Sequence, residues 1–168
     1  MRTRPITFNA HASNSPTGLV IKFWTLSKYS HASVSIGEIN FESTMLKGVE
    51  KHNKELRHIK MKVTIFVESS VSERFTQFLT YVSEREDRGF LEYDFTAIIG
   101  FILNKNIQDD TKWVCSEFVD TFWIYELDSD ESKKKLISPE VFFTRLLWYI
   151  KGYEKGTGET ISKVEYFD

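Results

Sequence analysis

One thiol, one histidine and one glutamate are the side chains of this sequence whose types and positions could carry chemistry. Cys115 is the only cysteine. It follows the polar stretch Asn106 to Lys112 and stands between Trp113-Val114 and the apolar face of an expected helix. That places it at or near a helix N-terminus, where the dipole and the N–H groups of the first turn favour a thiolate. The same N–H groups suit a developing oxyanion. A buried structural cysteine is the competing reading, because free cysteine is among the most buried residue types. His31 follows Lys28-Tyr29-Ser30 and opens a strand, with its ring free to point off the sheet edge. Glu42 falls in the next strand, across a short hairpin. A carboxylate there can accept a hydrogen bond from the imidazole and fix its tautomer. An ordinary exposed strand glutamate fits the position equally well.

The chain has four histidines, and the other three read as uninvolved. His52 and His58 lie in a polar, charged stretch and are expected to be solvated. Their spacing fits neither one helix face nor a tight metal clip, which argues against a zinc site. His11 sits in a polar, turn-like segment. A lone cysteine excludes an internal disulfide and a zinc site built from several thiolates. No metal and no cofactor are expected.

The elements that must position these residues are read from periodicity. Met1 to Gly18 has weak periodicity and ends in the turn signal Ser15-Pro16-Thr17-Gly18. Leu19 to Trp24 is expected as a strand, since its β-branched and aromatic residues suit a pleated, largely buried surface. Ser33 to Ile36 alternates as a strand does, Gly37-Glu38 turns the chain, and Ile39 to Ser43 completes a hairpin. Lys47-Gly48-Val49 starts a further extended segment. Met61 to Glu68 is the clearest strand, with Val63, Ile65 and Val67 pointing one way. From Ser70 the period turns helical through Val71, Phe75, Phe78, Leu79 and Val82, and Glu84 to Arg88 is read as a solvated helix end. Phe95 to Leu103 and Trp113 to Tyr125 are helix candidates. After a polar linker, Asp128 to Lys135, Ser138-Pro139-Glu140 opens another helix with proline in its first turn. Gly152 to Gly158 is expected as a loop and Ile161 to Phe167 as a last edge strand. The class is α+β: a mostly antiparallel sheet with helices packed against it.

Composition bounds the rest. A length of 168 residues suits one domain spanning 1–168, long enough to bury a core. Aromatics at 15% make that core rich in rings. A net charge of −2 gives no basic footprint for nucleic acid. The longest apolar runs, such as Val141 to Ile150, are too short or too interrupted to span a bilayer. The N-terminus lacks the apolar core of a signal peptide. A cytoplasmic protein is the expectation.

Four short blocks, in order, resemble permuted papain-like, NlpC-type cysteine hydrolases of the YiiX and YaeF kind. Thr17-Gly18-Leu19-Val20-Ile21-Lys22-Phe23-Trp24, running on to Ser30-His31, is similar to their opening, in which an early strand leads to a Ser-His pair. Phe41-Glu42-Ser43-Thr44 with Lys47-Gly48-Val49 resembles the block whose polar residue completes a triad. Tyr93-Asp94-Phe95 and Ile99-Gly100 resemble the segment before the nucleophile. Trp113-Val114-Cys115-Ser116-Glu117-Phe118-Val119 resembles the nucleophile block itself. His31 precedes Cys115, as the circularly permuted branch requires. The blocks cover Thr17 to Val119, and nothing after them matches. The chain departs from the pattern at His31-Ala32-Ser33, where a His-Val-Gly continuation is commoner.

The resemblance implies a permuted papain-like fold with Cys115 as nucleophile, His31 as base and Glu42 orienting His31. Cys115 would attack a carbonyl and form a thioester, with its own N–H helping to bind the oxyanion. Two substrate classes are implied: an amide or peptide-like bond, or an acyl ester of a lipid, since the permuted branch includes acyltransferases. The lipid reading needs an amphipathic surface. Phe142, Phe143, Leu146, Leu147, Trp148 and Ile150 could supply one, although such a helix more often faces a core. Peripheral membrane contact is compatible with it; a transmembrane segment is not. A non-catalytic binding module of the same fold is the third reading. The compact size and unmatched C-terminal third would suit a phage protein acting in a host cytoplasm. Oligomeric state is not legible in the sequence.

Overall fold

The computed structural model describes residues 3–44, 48–84, 114–123 and 137–168. The expected helix over Phe95 to Leu103, the block from Tyr93 to Gly100, the linker from Asp128 to Lys135 and the charged run beyond Glu84 lie outside these residues. In chain order the elements are β1 (Thr3–His11), α1 (Pro16–Trp24), β2 (His31–Ile36), β3 (Ile39–Thr44), β4 (Gly48–His52), β5 (Ile59–Glu68), α2 (Ser69–Glu84), α3 (Cys115–Asp120), α4 (Pro139–Thr157) and β6 (Ser162–Tyr166). The strands form one six-stranded sheet in the order β4-β3-β2-β1-β5-β6. Every pairing is antiparallel. The class is α+β, and no helix among the described residues is long and apolar enough to cross a membrane.

Alternation divides the sheet into two faces. Register places Phe8 beside Val34 on one side and Val63 on the other, and Val34 beside Phe41. These residues, with Ile6, Ala10, Ala32, Met61 and Ile65, are buried in the core. Phe75 and Leu79 of α2, Phe118 and Phe122 at α3, and Phe142, Phe143, Leu146 and Ile150 of α4 pack into the same core. Its centre is a ring cluster. Phe8 meets Phe122 at 5.1 Å and Phe142 at 5.3 Å between centroids, and Phe75 meets Phe122 at 5.4 Å. Edge-to-face pairs of this kind add about 0.5–1.5 kcal/mol each beyond the area they bury. The other face carries Thr7, Asn9 and His11 from β1, His31, Ser33 and Ser35 from β2, and Asn40 and Glu42 from β3. It is held by side-chain hydrogen bonds instead.

The β2–β3 hairpin, β4, β5, α2, the start of α4 and β6 lie where periodicity places them. Gly37 opens the two-residue turn between β2 and β3 with φ of 61°, a conformation that glycine adopts without a Cβ clash. Three segments differ from expectation. Thr3–His11 is not a turn-like lead but a strand paired on both sides along most of its length. Pro5 is tolerated there because β2 pairs with β1 only from Thr7 onward, so its side of the strand at residue 5 has no ladder partner. Leu19 to Trp24 is helix, not strand. Ser15 caps it by accepting the Gly18 N–H (3.1 Å), and Pro16 sits in its first turn. Leu19, Val20 and Phe23 are 51%, 46% and 71% exposed, which a buried strand would not allow. Gly152 to Thr157 continues α4, which stops only at Gly158 in the left-handed region, φ 73°.

Gly18 and Gly152 predict opposite responses to alanine. A Cβ on Gly18 would sit 2.6 Å from the Ser13 carbonyl oxygen, so Gly18→Ala should lower thermal stability by about 1–3 kcal/mol. A Cβ on Gly152 meets nothing within 4 Å, and Gly152→Ala should raise stability by about 0.5–1 kcal/mol through helix propensity. Calorimetry on the two variants checks both signs.

Candidate active site

Cys115 is the first residue of α3 and His31 the first of β2, and α3 packs against β2 and β3. The short helix is anchored on several sides. Glu117 accepts the Val114 N–H (3.3 Å), Ser116 Oγ donates to the Ile137 carbonyl (2.6 Å), and Arg145 of α4 pairs with Asp120 (3.2 Å). Phe118, Val119 and Phe122 fix its apolar side in the core. Cys115 is thereby held against the His31 imidazole, with which it shares a hydrogen bond.

Glu42 stands on the strand next to His31. Register sets Glu42 opposite Ser33 on β2 and opposite Glu50 on β4. His31 and His52 therefore approach it diagonally, one from each neighbouring strand, within the reach of long side chains across a sheet. His31 Nε2 donates to Glu42 Oε2 at 2.7 Å, and His52 Nε2 donates to Oε1 at 2.8 Å. With Nε2 engaged, Nδ1 of His31 is the nitrogen left for the Cys115 sulfur. The side chains of His31, Glu42 and His52 are 22%, 18% and 16% exposed, so water screens the cluster only weakly.

The electrostatics follow from this arrangement. Burial alone would push the His31 imidazole down. The negative charge and hydrogen bond of Cys115, followed by those of Glu42, outweigh it and hold His31 up at about 10. Burial likewise works to raise Glu42, but the hydrogen bond and charge of His31, followed by the hydrogen bond of His52, bring its carboxyl down to about 2. His31 thus favours the imidazolium form, with the Glu42 carboxylate on one side and the Cys115 sulfur on the other. Cys115 is only 2% exposed, which strengthens its attraction to the ring compared with a pair in water.

His11, set aside on sequence, is directly paired with His31 in the β1–β2 register. Its ring lies 5.1 Å from that of His31 and is buried. The Arg57 carbonyl can only accept, so His11 Nδ1 carries the proton and donates to it (2.8 Å). Nε2 then accepts from Ser33 Oγ (2.8 Å). Burial, and next the charge of His31, lower His11 to about 4. Its bond to Arg57 and that of Asn40 Nδ2 to the Lys54 carbonyl (2.9 Å) hang residues 53–58 over the sheet. Beneath them is a cavity of about 430 Å³, walled by His31, Glu42, His52 and the first turn of α1. His58 is exposed, as expected; His52 is not. Alternation along β4 (Glu50 and His52 on the face of Glu42) was the sequence signal for it. No group of three or more metal-ligating side chains is assembled among the described residues.

His11 makes stability depend on pH in a definite direction. Its folded value of about 4 lies below the ordinary 6.5, so the unfolded chain binds more protons between these values. Stability should therefore fall as pH drops from 6.5 towards 4, by on the order of 3 kcal/mol at the limit. Denaturant unfolding across that window should show a shallower dependence in His11→Asn than in the parent chain.

Compared with known proteins, the chain matches no protein-family model and no curated protein sequence.

Proposed function

We propose that the chain is a cysteine-nucleophile hydrolase with a permuted papain-like, NlpC-type fold, cleaving an amide or peptide-like bond through a thioester. The observation that carries this is the continuous hydrogen-bonded line from Cys115 through His31 to Glu42. Charge and geometry support the following roles. The Cys115 thiolate attacks the carbonyl carbon, and the oxyanion forms beside the main-chain N–H groups that open α3. The His31 imidazolium gives its proton to the departing amine as the C–N bond breaks, leaving the acyl group on sulfur. Water then loses a proton to His31 while attacking the thioester, which releases the acid and restores the thiolate–imidazolium pair. Glu42 keeps the ring oriented and stabilises its charge throughout. A thiolate nucleophile works in a reducing compartment, which fits action in a cytoplasm.

One observation favours a second reading, a lipid-directed acyltransferase or esterase with the same three residues. Of the six α4 residues that could supply its surface, Phe142, Phe143, Leu146 and Ile150 are core, which leaves chiefly Trp148, 79% exposed. By contrast, α1, which walls the cavity through Gly18 and Ile21, exposes Leu19, Val20 and Phe23, and Leu26 just beyond it is 89% exposed.

Alkylation of Cys115 across a pH series tests the shared chemistry. The attraction that raises His31 must stabilise the thiolate equally, so labelling should reach half its maximum well below the free-thiol value of about 8.5. His31→Ala should move that midpoint up by one unit or more. The midpoint, not the absolute rate, is informative, because burial slows labelling of either form. An unshifted midpoint that ignores His31→Ala would leave a binding module as the better description. Intact-mass detection of an acyl adduct on Cys115 then separates the substrates. Peptide-like amides should acylate it irrespective of Phe23→Ser; a lipid-ester enzyme would be acylated from vesicles and lose that with Phe23→Ser.

A further inference from the structure

Glu42 has two carboxylate oxygens, and the triad uses one. The second is not left to solvent. It receives the Nε2–H of His52 from β4, the strand on the side away from His31. The proton's position on His52 is set by the main chain: Lys54 N–H donates to His52 Nδ1 at 3.2 Å. Nδ1 is thus the acceptor, and Nε2 carries the proton and faces Glu42. Lys54 is in turn held by its carbonyl, which accepts from Asn40 on β3. The last residue of β4 and the segment after it therefore form a bracket whose one outward-reaching donor ends on Glu42.

We propose, on the basis of the Cys115–His31 reading above, that His52 is the positioning residue of this site, fixing the Glu42 carboxylate that orients and charges His31. The need for such a residue is physical. A glutamate has a freely turning terminal torsion, and Glu42 sits directly across from Glu50 on the same face of the sheet. Like charges opposed across strands repel. With one imidazole N–H on each oxygen, the carboxylate plane is set, and neither oxygen can turn away from His31 without losing a charge-assisted bond. The bond of His52 Nε2 to Glu42 Oε1 is the route by which it acts on His31.

Two polar substitutions separate this role from a merely structural one. The amide nitrogen of glutamine reaches about as far as imidazole Nε2, so His52→Gln keeps a donor for Glu42. Asparagine reaches only as far as Nδ1, so His52→Asn keeps the Lys54 contact and loses Glu42. The readout is the midpoint of Cys115 alkylation against pH, with thermal unfolding alongside. His52→Asn should raise the midpoint by about half to one unit, cutting labelling well below the midpoint by roughly three- to tenfold, and His52→Gln should restore the parent profile. Parent midpoints in both variants, while Glu42→Gln or His31→Ala still shifts the profile, would overturn the role of His52 alone. If His31→Ala also leaves the midpoint unchanged, the Cys115–His31 reading falls and this inference with it.

Discussion

The bonds of Glu42 to two imidazoles depend on three strands being in one register. His31 and His52 reach it diagonally from β2 and β4, and a slip of one residue in either pairing would turn its histidine to the opposite face. The site therefore tests the sheet. The β2–β3 register is secured from the far side, where Phe8, Val34, Phe41 and Val63 form one apolar row across β5, β1, β2 and β3 and are fully buried. Slippage would drive these groups into water, at about 1.5–3 kcal/mol for each large side chain. The apolar face thus sets the geometry of the polar one.

The helices complete that division of labour. α3 has only six residues, too few to hold itself in water. Its position comes from Phe118, Val119 and Phe122 in the core and from the bond of Ser116 to Ile137 ahead of α4. The C-terminal third, which matches none of the expected family's blocks, supports the candidate site: α4 braces the helix that opens at Cys115 through Arg145 and Asp120 and supplies Phe142 to the ring cluster. Burial of Cys115 and partial burial of His31 and Glu42 then let opposite charges interact in a weakly screened setting. Nearby His11 is kept neutral near physiological pH, so it adds no competing positive charge beside His31.

Much of this was legible from periodicity. The β2–β3 hairpin, β5, α2 and the helix opening at Ser138-Pro139 declared themselves by alternation, helical spacing and capping. The neighbourhood of His31 and Glu42 followed from the hairpin alone. Other parts were hidden for definite reasons. β1 is the central strand, yet Thr7, Asn9 and His11 make its second face polar, and their hydrogen bonds come from residues far along the chain. A strand solvated by its own protein reads as a loop. In α1, β-branched residues argued for a strand while the stronger local fact, a Ser-Pro cap and first turn, was read as a turn. The charged neighbours of His52, Lys51 and Lys54, dominate the local composition and predict a solvated residue. Only strand pairing shows that it shares a face with Glu42. The glycines of α4 predict a loop by propensity alone, and the packing of Tyr149 on Trp123 and Tyr153 carries the helix onward.

Cys115 and Glu42, which flank His31, hold its imidazole well above the ordinary value. The most direct measurement is a ¹⁵N NMR titration of the His31 ring in the parent protein and in Cys115→Ala. A ring protonated at both nitrogens up to about pH 10 is expected in the parent, with the titration moved down by at least one unit when the sulfur is removed. A His31 ring that titrates near its ordinary value of 6.5, unchanged by Cys115→Ala, would contradict it.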